Sequence, residues 1–127
     1  MILPDTSVWI EFFRGRNPFL PVLRRHLELG NVLALDLVFG ELLQGARDNR
    51  EVKVLNDYYQ ALPQVRSADL FVTAGNLSYK EKAYSRGVGL IDLALICAAR
   101  ESRAKIWSRD RKMLSLLKKE EVFHAQK

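Results

Sequence analysis

The fold is decided by the stretch Met1-Ile2-Leu3-Pro4-Asp5-Thr6-Ser7-Val8-Trp9-Ile10, in which an apolar run is followed by an acid and then by a helical pattern. The run Met1–Pro4 predicts a short buried strand, and Thr6–Phe13, with its aromatic residues, predicts a helix directly after it. Similar strand patterns lie further along the chain, at Val32–Leu35 and Lys105–Ser108, with weaker ones near Gln64–Arg66 and Val122–His124.

Helical patterns fill the gaps between these runs, at Phe19–Leu29, Leu37–Leu43, Glu51–Leu62, Ala68–Arg86, Leu90–Ser102 and Arg111–Lys118. Strands that alternate with helices predict a parallel sheet covered on both faces, because parallel neighbours need crossover connections. We therefore expect an α/β/α sandwich with a mostly parallel, about five-stranded sheet. The length of 127 residues fits a single domain, residues 1–127.

Composition limits the functional classes. Twenty Lys and Arg against fifteen Asp and Glu give a net charge of +5, which favours polyanionic partners. The single cysteine, Cys97, lies in an apolar run, where a reduced thiol packs as a small hydrophobe, and this favours a reducing cytoplasm. No stretch has the roughly 20 apolar residues of a membrane helix, and Asp5 interrupts the first apolar run, which is unlike a signal peptide. His26 and His124 have no partner at zinc-ligand spacing.

Four acids stand at positions where chemistry is expected. Asp5 directly follows a predicted strand, and Asp110 closely follows another. Glu41 comes about one helical turn after a third predicted strand. Ligands of open parallel sheets bind beyond the carboxyl ends of the strands, so these acids are expected to converge. Asp92 is the only ionisable residue of Leu90–Ala99, and Glu41 is alone in a similar apolar helix. A divalent cation would offset the repulsion between such carboxylates.

Each acid also has a local alternative. Asp5, Asp92 and Asp110 stand where helices begin, so each is a candidate N-cap. Glu41 is also compatible with a partly exposed helix position paired with Arg47. Asp36, which follows the second strand, is interpreted as a cap rather than a metal ligand.

The motifs around these acids resemble those of PIN domains of the VapC toxin group. The chain has Asp5-Thr6-Ser7-Val8-Trp9-Ile10, then Glu41-Leu42-Leu43-Gln44-Gly45-Ala46, then Asp92-Leu93-Ala94-Leu95-Ile96-Cys97-Ala98-Ala99, and last Trp107-Ser108-Arg109-Asp110. Each motif is weak alone. Four in the same order and at similar spacing form a fairly specific signal that spans nearly the whole chain.

The resemblance implies a sheet in strand order 3-2-1-4-5 and a metal-dependent endoribonuclease that hydrolyses RNA phosphodiester bonds. It implies Mg²⁺, or alternatively Mn²⁺, and as partners an RNA substrate, a cognate antitoxin and a second copy of the chain in a homodimer. The implied metal-site and catalytic residues are Asp5, Glu41, Asp92 and Asp110, with Ser7 and Ser108 as supporting hydroxyls. Leu90 and Ile91 depart from the family pattern, because many relatives have a hydroxyl residue before the third acid.

Other interpretations stay open from the sequence. One is a PIN scaffold that binds RNA or a partner without cutting, and another is a receiver-type Mg²⁺-binding signalling domain. A phosphohydrolase fits poorly, because its motif needs a second aspartate at the position of Ser7. Six arginines near the motifs are either phosphate contacts or solvated surface residues: Arg14, Arg16, Arg47, Arg86, Arg109 and Arg111.

Overall fold

The computed structural model describes residues 1–125, and its sheet is built on two central strands. Strand β1 (Ile2–Pro4) pairs in parallel with β2 (Lys105–Trp107), and Leu3 lies opposite Ile106. Both of these residues are almost completely buried. Helices connect and cover the two strands, so the predicted parallel α/β architecture is confirmed.

The expected strand number is wrong, because only two segments of residues 1–125 form strands. Three further segments join through single parallel bridges: Val32 bridges to Ile2, Gln64 to Ala34, and Val122 to Ile106. Each of these outer segments contacts its neighbour through one bridge and does not run on into a ladder, so it does not count as a strand. Together with β1 and β2 the segments follow the order 3-2-1-4-5.

The described chain contains seven α-helices. They are α1 (Thr6–Phe13), α2 (Phe19–Glu28), α3 (Asp36–Gln44), α4 (Asn49–Ala61), α5 (Leu70–Glu81), α6 (Leu90–Ser102) and α7 (Arg111–Leu114), with 3₁₀ turns at Tyr84–Arg86 and Lys119–Glu121. The single long helix expected over Ala68–Arg86 is wrong. Lys82 has a left-handed φ of 53°, which ends α5 before the 3₁₀ turn. Helix α7 is also shorter than expected.

The buried side chains form one hydrophobic core. Helix α6 buries seven consecutive residues, Leu93–Ala99, which explains why its sequence is apolar on every face. In the same core, the ring of Trp9 contacts Phe12, Phe39 and Tyr58. Trp9 is completely buried, whereas Phe13 beside it is 39% exposed. Among residues 1–125 no helix has the length and apolarity needed to cross a membrane.

Candidate metal centre

Asp5 is fixed where β1 ends. Its backbone N–H donates to the carbonyl oxygen of Trp107 at 3.0 Å, so the carboxyl ends of the two strands are joined at this residue. Carboxylate atom Oδ1 accepts hydrogen bonds from the hydroxyl of Ser7 at 2.6 Å and from the N–H of Val8 at 3.2 Å, and Oδ2 accepts one from the hydroxyl of Ser108. Burial raises the pKa of Asp5, and the hydrogen bonds from Ser108 and Ser7 partly offset this effect.

The loop after β2 carries the next acid. The hydroxyl oxygen of Ser108 accepts from the N–H of Asp110 at 2.9 Å, while the hydroxyl oxygen of Ser7 accepts from the N–H of Arg109 at 3.2 Å. Asp110 in turn caps α7, because its Oδ1 accepts from the backbone of Lys112 at 2.9 Å. Ser7 and Ser108 therefore hold the two acid-bearing loops together.

Asp92 lies in the first turn of α6 and is half-buried. Its pKa is raised to about 6, first by burial and then by the negative charges of Asp110, Asp5 and Glu41. The N-terminus of a helix favours a carboxylate, but here the neighbouring acids and the partial burial have the larger effect. The pKa of Asp92 therefore responds to the charges of all three other acids.

Glu41 reaches the same region from α3. Its Oε1 accepts a hydrogen bond from the hydroxyl of Thr6 at 2.7 Å, which brings it beside Asp5. The interpretation of Glu41 as a charge enclosed by apolar residues is wrong, because its side chain is exposed. Pairing with Arg47 is also wrong, since Arg47 contacts Glu51 at 2.8 Å instead. Glu41 does lie after the second strand segment, as the sequence predicts.

The capping alternatives apply to some of the acids. Asp5 and Asp110 are N-caps of α1 and α7, but the capping bonds go to one oxygen of each carboxylate. Asp92 is not a cap, because Gly89 has that position. The interpretation of Asp36 as a cap is wrong, because Leu35 has the N-cap position of α3; the carboxylate of Asp36 instead accepts from the N–H of Leu37 at 2.7 Å. Capping therefore fixes the orientation of Asp5 and Asp110 through one oxygen of each, while the second oxygen of Asp5 accepts from Ser108.

The four acids do not form a closed cage. Within residues 1–125, no three Asp, Glu, His or Cys side chains lie close enough together to hold a metal ion as they stand. An open, carboxylate-only donor set suits Mg²⁺ or Mn²⁺, because such hard ions keep several water ligands and need few protein oxygens. The donor type of these residues therefore suits a divalent ion of this kind, which would offset the repulsion between them.

One charged residue beside the site was missed by the sequence reasoning. Glu11 on α1 is the only charged side chain buried among residues 1–125, with 4% exposure. Its carboxylate pairs with Arg109, whose guanidinium nitrogen lies 3.3 Å from Oε1. It also pairs with Arg14 and Arg16 of the loop after α1. The sequence does contain a signal for burial of Glu11, because Ile10 and Phe12 flank it and Asp92 stands in a similar apolar context.

The parallel α/β fold, with acids gathered at the carboxyl ends of its central strands, is that of a PIN domain, and the chain belongs to the PIN domain family, whose model matches residues 2–119. Within the family it is of the VapC type. It is 33% identical over 116 residues to ribonuclease VapC32 of Mycobacterium tuberculosis, covering 89% of this chain and 87% of that protein.

Solved structures agree on the fold. A toxin–antitoxin complex from Klebsiella pneumoniae contains a chain that matches with a TM-score of 0.70 at 18% identity, covering 91% of both chains. VapBC2 from Rickettsia felis, bound to a DNA fragment from its promoter, matches with a TM-score of 0.69 at 15% identity, covering 96% of both chains. At these identities the likeness concerns the fold alone.

Proposed function

We propose that this protein is a divalent-metal-dependent endoribonuclease and that it acts as the toxin of a toxin–antitoxin pair. The observation that carries the proposal is that Ser108 joins Asp5 and Asp110 where the two central strands end, while Glu41 accepts a hydrogen bond from Thr6, the residue after Asp5. The charges of these three acids raise the pKa of Asp92, so the four carboxylates repel one another. A hard cation bound between them removes that repulsion.

We assign each residue of the site a role from its position. Asp5 and Asp92 would hold Mg²⁺ or Mn²⁺ directly, Asp110 would do so directly or through water, and Glu41, exposed at the rim, would position a water or a second ion. Ser7 and Ser108 orient Asp5 by donating to its two oxygens. When bound, the ion lowers the pKa of a water ligand and stabilises the charge that develops on the scissile phosphate.

The relatives support the proposed partners. The chain shares one third of its residues with a protein named as a ribonuclease, and its fold neighbours include toxin–antitoxin complexes. We therefore include an RNA substrate, a cognate antitoxin and a homodimer in the proposal. We also place the protein in the cytoplasm, where the buried thiol of Cys97 stays reduced.

Cleavage of a mixed RNA substrate by the purified protein tests the proposal. We expect cleavage with Mg²⁺ or Mn²⁺, none in EDTA, and a loss of about 100-fold or more in Asp5→Asn and Asp92→Asn, which keep the side-chain shape and remove the charge. Asp36→Asn is the matched control, because Asp36 also follows a strand segment but makes a local bond to Leu37.

The outcomes separate the alternatives. Cleavage that survives both EDTA and the two aspartate substitutions contradicts the metal-nuclease proposal. If the protein binds RNA but cuts none with either metal, it is a non-catalytic PIN scaffold. If it binds no RNA and acetyl phosphate phosphorylates an aspartate, the receiver-type interpretation replaces ours.

A further inference from the structure

A cluster of arginines surrounds Glu11 next to the candidate metal centre. One nitrogen each of Arg16 and Arg109 lies 3.3 Å from Oε1 of Glu11, and a nitrogen of Arg14 lies 3.7 Å from the same oxygen. Arg16 also contacts Oε2 at 3.2 Å. We call these three arginines and Glu11 the arginine clamp.

The charges in the arginine clamp do not balance. One carboxylate faces three guanidinium groups, which leaves an excess of two positive charges at one point. A structural ion pair would be complete with a single arginine. The side chains of Arg14 and Arg16 are each 59% exposed and that of Arg109 is 53% exposed, while that of Glu11 is 6% exposed. The buried carboxylate thus holds the three arginines in place. Their N–H donors remain accessible to an anion from solvent.

Arg109 is held in a defined direction. Its backbone N–H donates to Ser7, whose hydroxyl donates to Asp5, so two hydrogen bonds separate the arginine clamp from the first acid. Its guanidinium lies over the ring of Phe19, 5.6 Å from the centroid, and that ring stacks on Trp107. A guanidinium fixed in this way loses little side-chain entropy when it binds an anion.

We propose that the arginine clamp is a binding site for a backbone phosphate of the RNA strand, adjacent to the phosphate that is cut. The inference rests on the proposed function, because it takes RNA as the substrate. Guanidinium groups recognise phosphate oxygens through paired, charge-assisted hydrogen bonds. The acids of the metal centre repel RNA, so a substrate strand needs positive contacts close by, and the arginine clamp supplies them through Arg109, which is next to Asp110 in the chain.

RNA binding measured without cleavage tests this inference. We would follow the fluorescence anisotropy of a labelled single-stranded RNA in EDTA over a range of KCl concentrations and confirm on a gel that the RNA stays intact. Each phosphate contact adds about 0.7 to the slope of log K against log [salt]. We expect Arg14→Ala and Arg16→Ala each to lower the slope by about 0.7 and to weaken binding roughly five-fold at 0.1 M salt.

Arg25→Ala is the control, with the same change of charge. Arg25 is exposed and lines a groove with Lys105, at the amino end of β2 and away from the acids. Thermal unfolding verifies that each variant is folded. If Arg14→Ala and Arg16→Ala change the slope no more than Arg25→Ala does, the inference is wrong. It is also wrong if they leave RNA binding intact and instead weaken binding to polyglutamate, which would make the arginine clamp a docking site for an acidic protein segment.

Cleavage by the same variants with Mg²⁺ separates this inference from the proposed function. We expect Arg16→Ala to raise KM roughly five-fold with little change in kcat, because it removes a binding contact outside the metal centre. If the variants lose the salt slope while the wild type cuts no RNA, the phosphate site stands and the nuclease proposal fails. If the wild type cuts RNA and the variants keep its KM and slope, only the phosphate site fails.

Discussion

The hydroxyl of Ser108 donates a hydrogen bond to Oδ2 of Asp5, which lies 103 positions away in the sequence, and its oxygen accepts the backbone N–H of Asp110 at 2.9 Å. One side chain thus joins two of the four acids. Residues that orient metal ligands in this way typically contribute 10- to 100-fold to metal affinity or activity. Removal of the Ser108 hydroxyl should therefore disturb the orientation of Asp5.

Ser108→Ala is expected to lower the rate of metal-dependent RNA cleavage by about 10- to 100-fold and to raise the Mg²⁺ concentration needed for half-maximal rate. Ser108→Thr keeps the hydroxyl and should retain most of the activity. The measurement is a Mg²⁺ titration of cleavage rate for both variants. Equal rates for the alanine and threonine variants would show that the hydroxyl has no orienting role.

Asp92→Asn is expected to stabilise the metal-free protein at pH 7. The pKa of Asp92 is about 6 in the folded protein against 3.8 for the unperturbed group, so between these values the folded state holds the proton more tightly. Stability then falls as the pH rises through this window, and the loss persists at pH 7. Asparagine carries no charge and avoids that loss.

The difference between variant and wild type is read from thermal unfolding in EDTA at pH 4 and pH 7. The Tm gain of Asp92→Asn should be present at pH 7 and much smaller at pH 4. Mg²⁺ should then raise the Tm of the wild type more than that of the variant. A Tm difference that is the same at both pH values would contradict the assigned pKa shift.

Glu11→Gln is expected to destabilise the fold by about 1.5–3 kcal/mol, because it removes the buried charge that accepts the part-buried hydrogen bonds from Arg16. Asp57→Asn is the comparison: it breaks the pair of Asp57 with Lys53 at 2.7 Å, whose side chains are 61% and 77% exposed. Exposed pairs of this kind contribute little. Urea unfolding of both variants measures the contrast, and equal losses would mean that burial of Glu11 has no energetic consequence.

Cys97 is expected to be unreactive in the native protein. Cys97 lies on α6 in the hydrophobic core and is 6% exposed. Burial raises the pKa of its thiol, so little thiolate is present at neutral pH. A thiol reagent should react in the presence of urea above the unfolding midpoint and only through opening of the structure below it. Rapid stoichiometric labelling without denaturant would contradict the buried placement.

The sequence by itself was enough for the parallel α/β class, and it singled out the four acids as candidates. Both depend on local patterns, since an apolar run such as Ile2–Pro4 next to a helical period predicts its own secondary structure wherever the rest of the chain lies. The position of Asp5 directly after such a run, and of Asp92 in an apolar helix, then indicated where charges would meet. The motifs that resemble those of PIN domains added the expected metal and substrate.

Tertiary structure decided what depends on distant partners. The exposure of Glu41 follows from how α3 packs, and the sheet has two strands because its outer segments reach each neighbour only once. The arginine clamp forms because Arg109, from the far end of the chain, meets Glu11 on α1. Burial and pairing depend on what the fold brings to a side chain, and the spacing of residues along the chain does not carry that information.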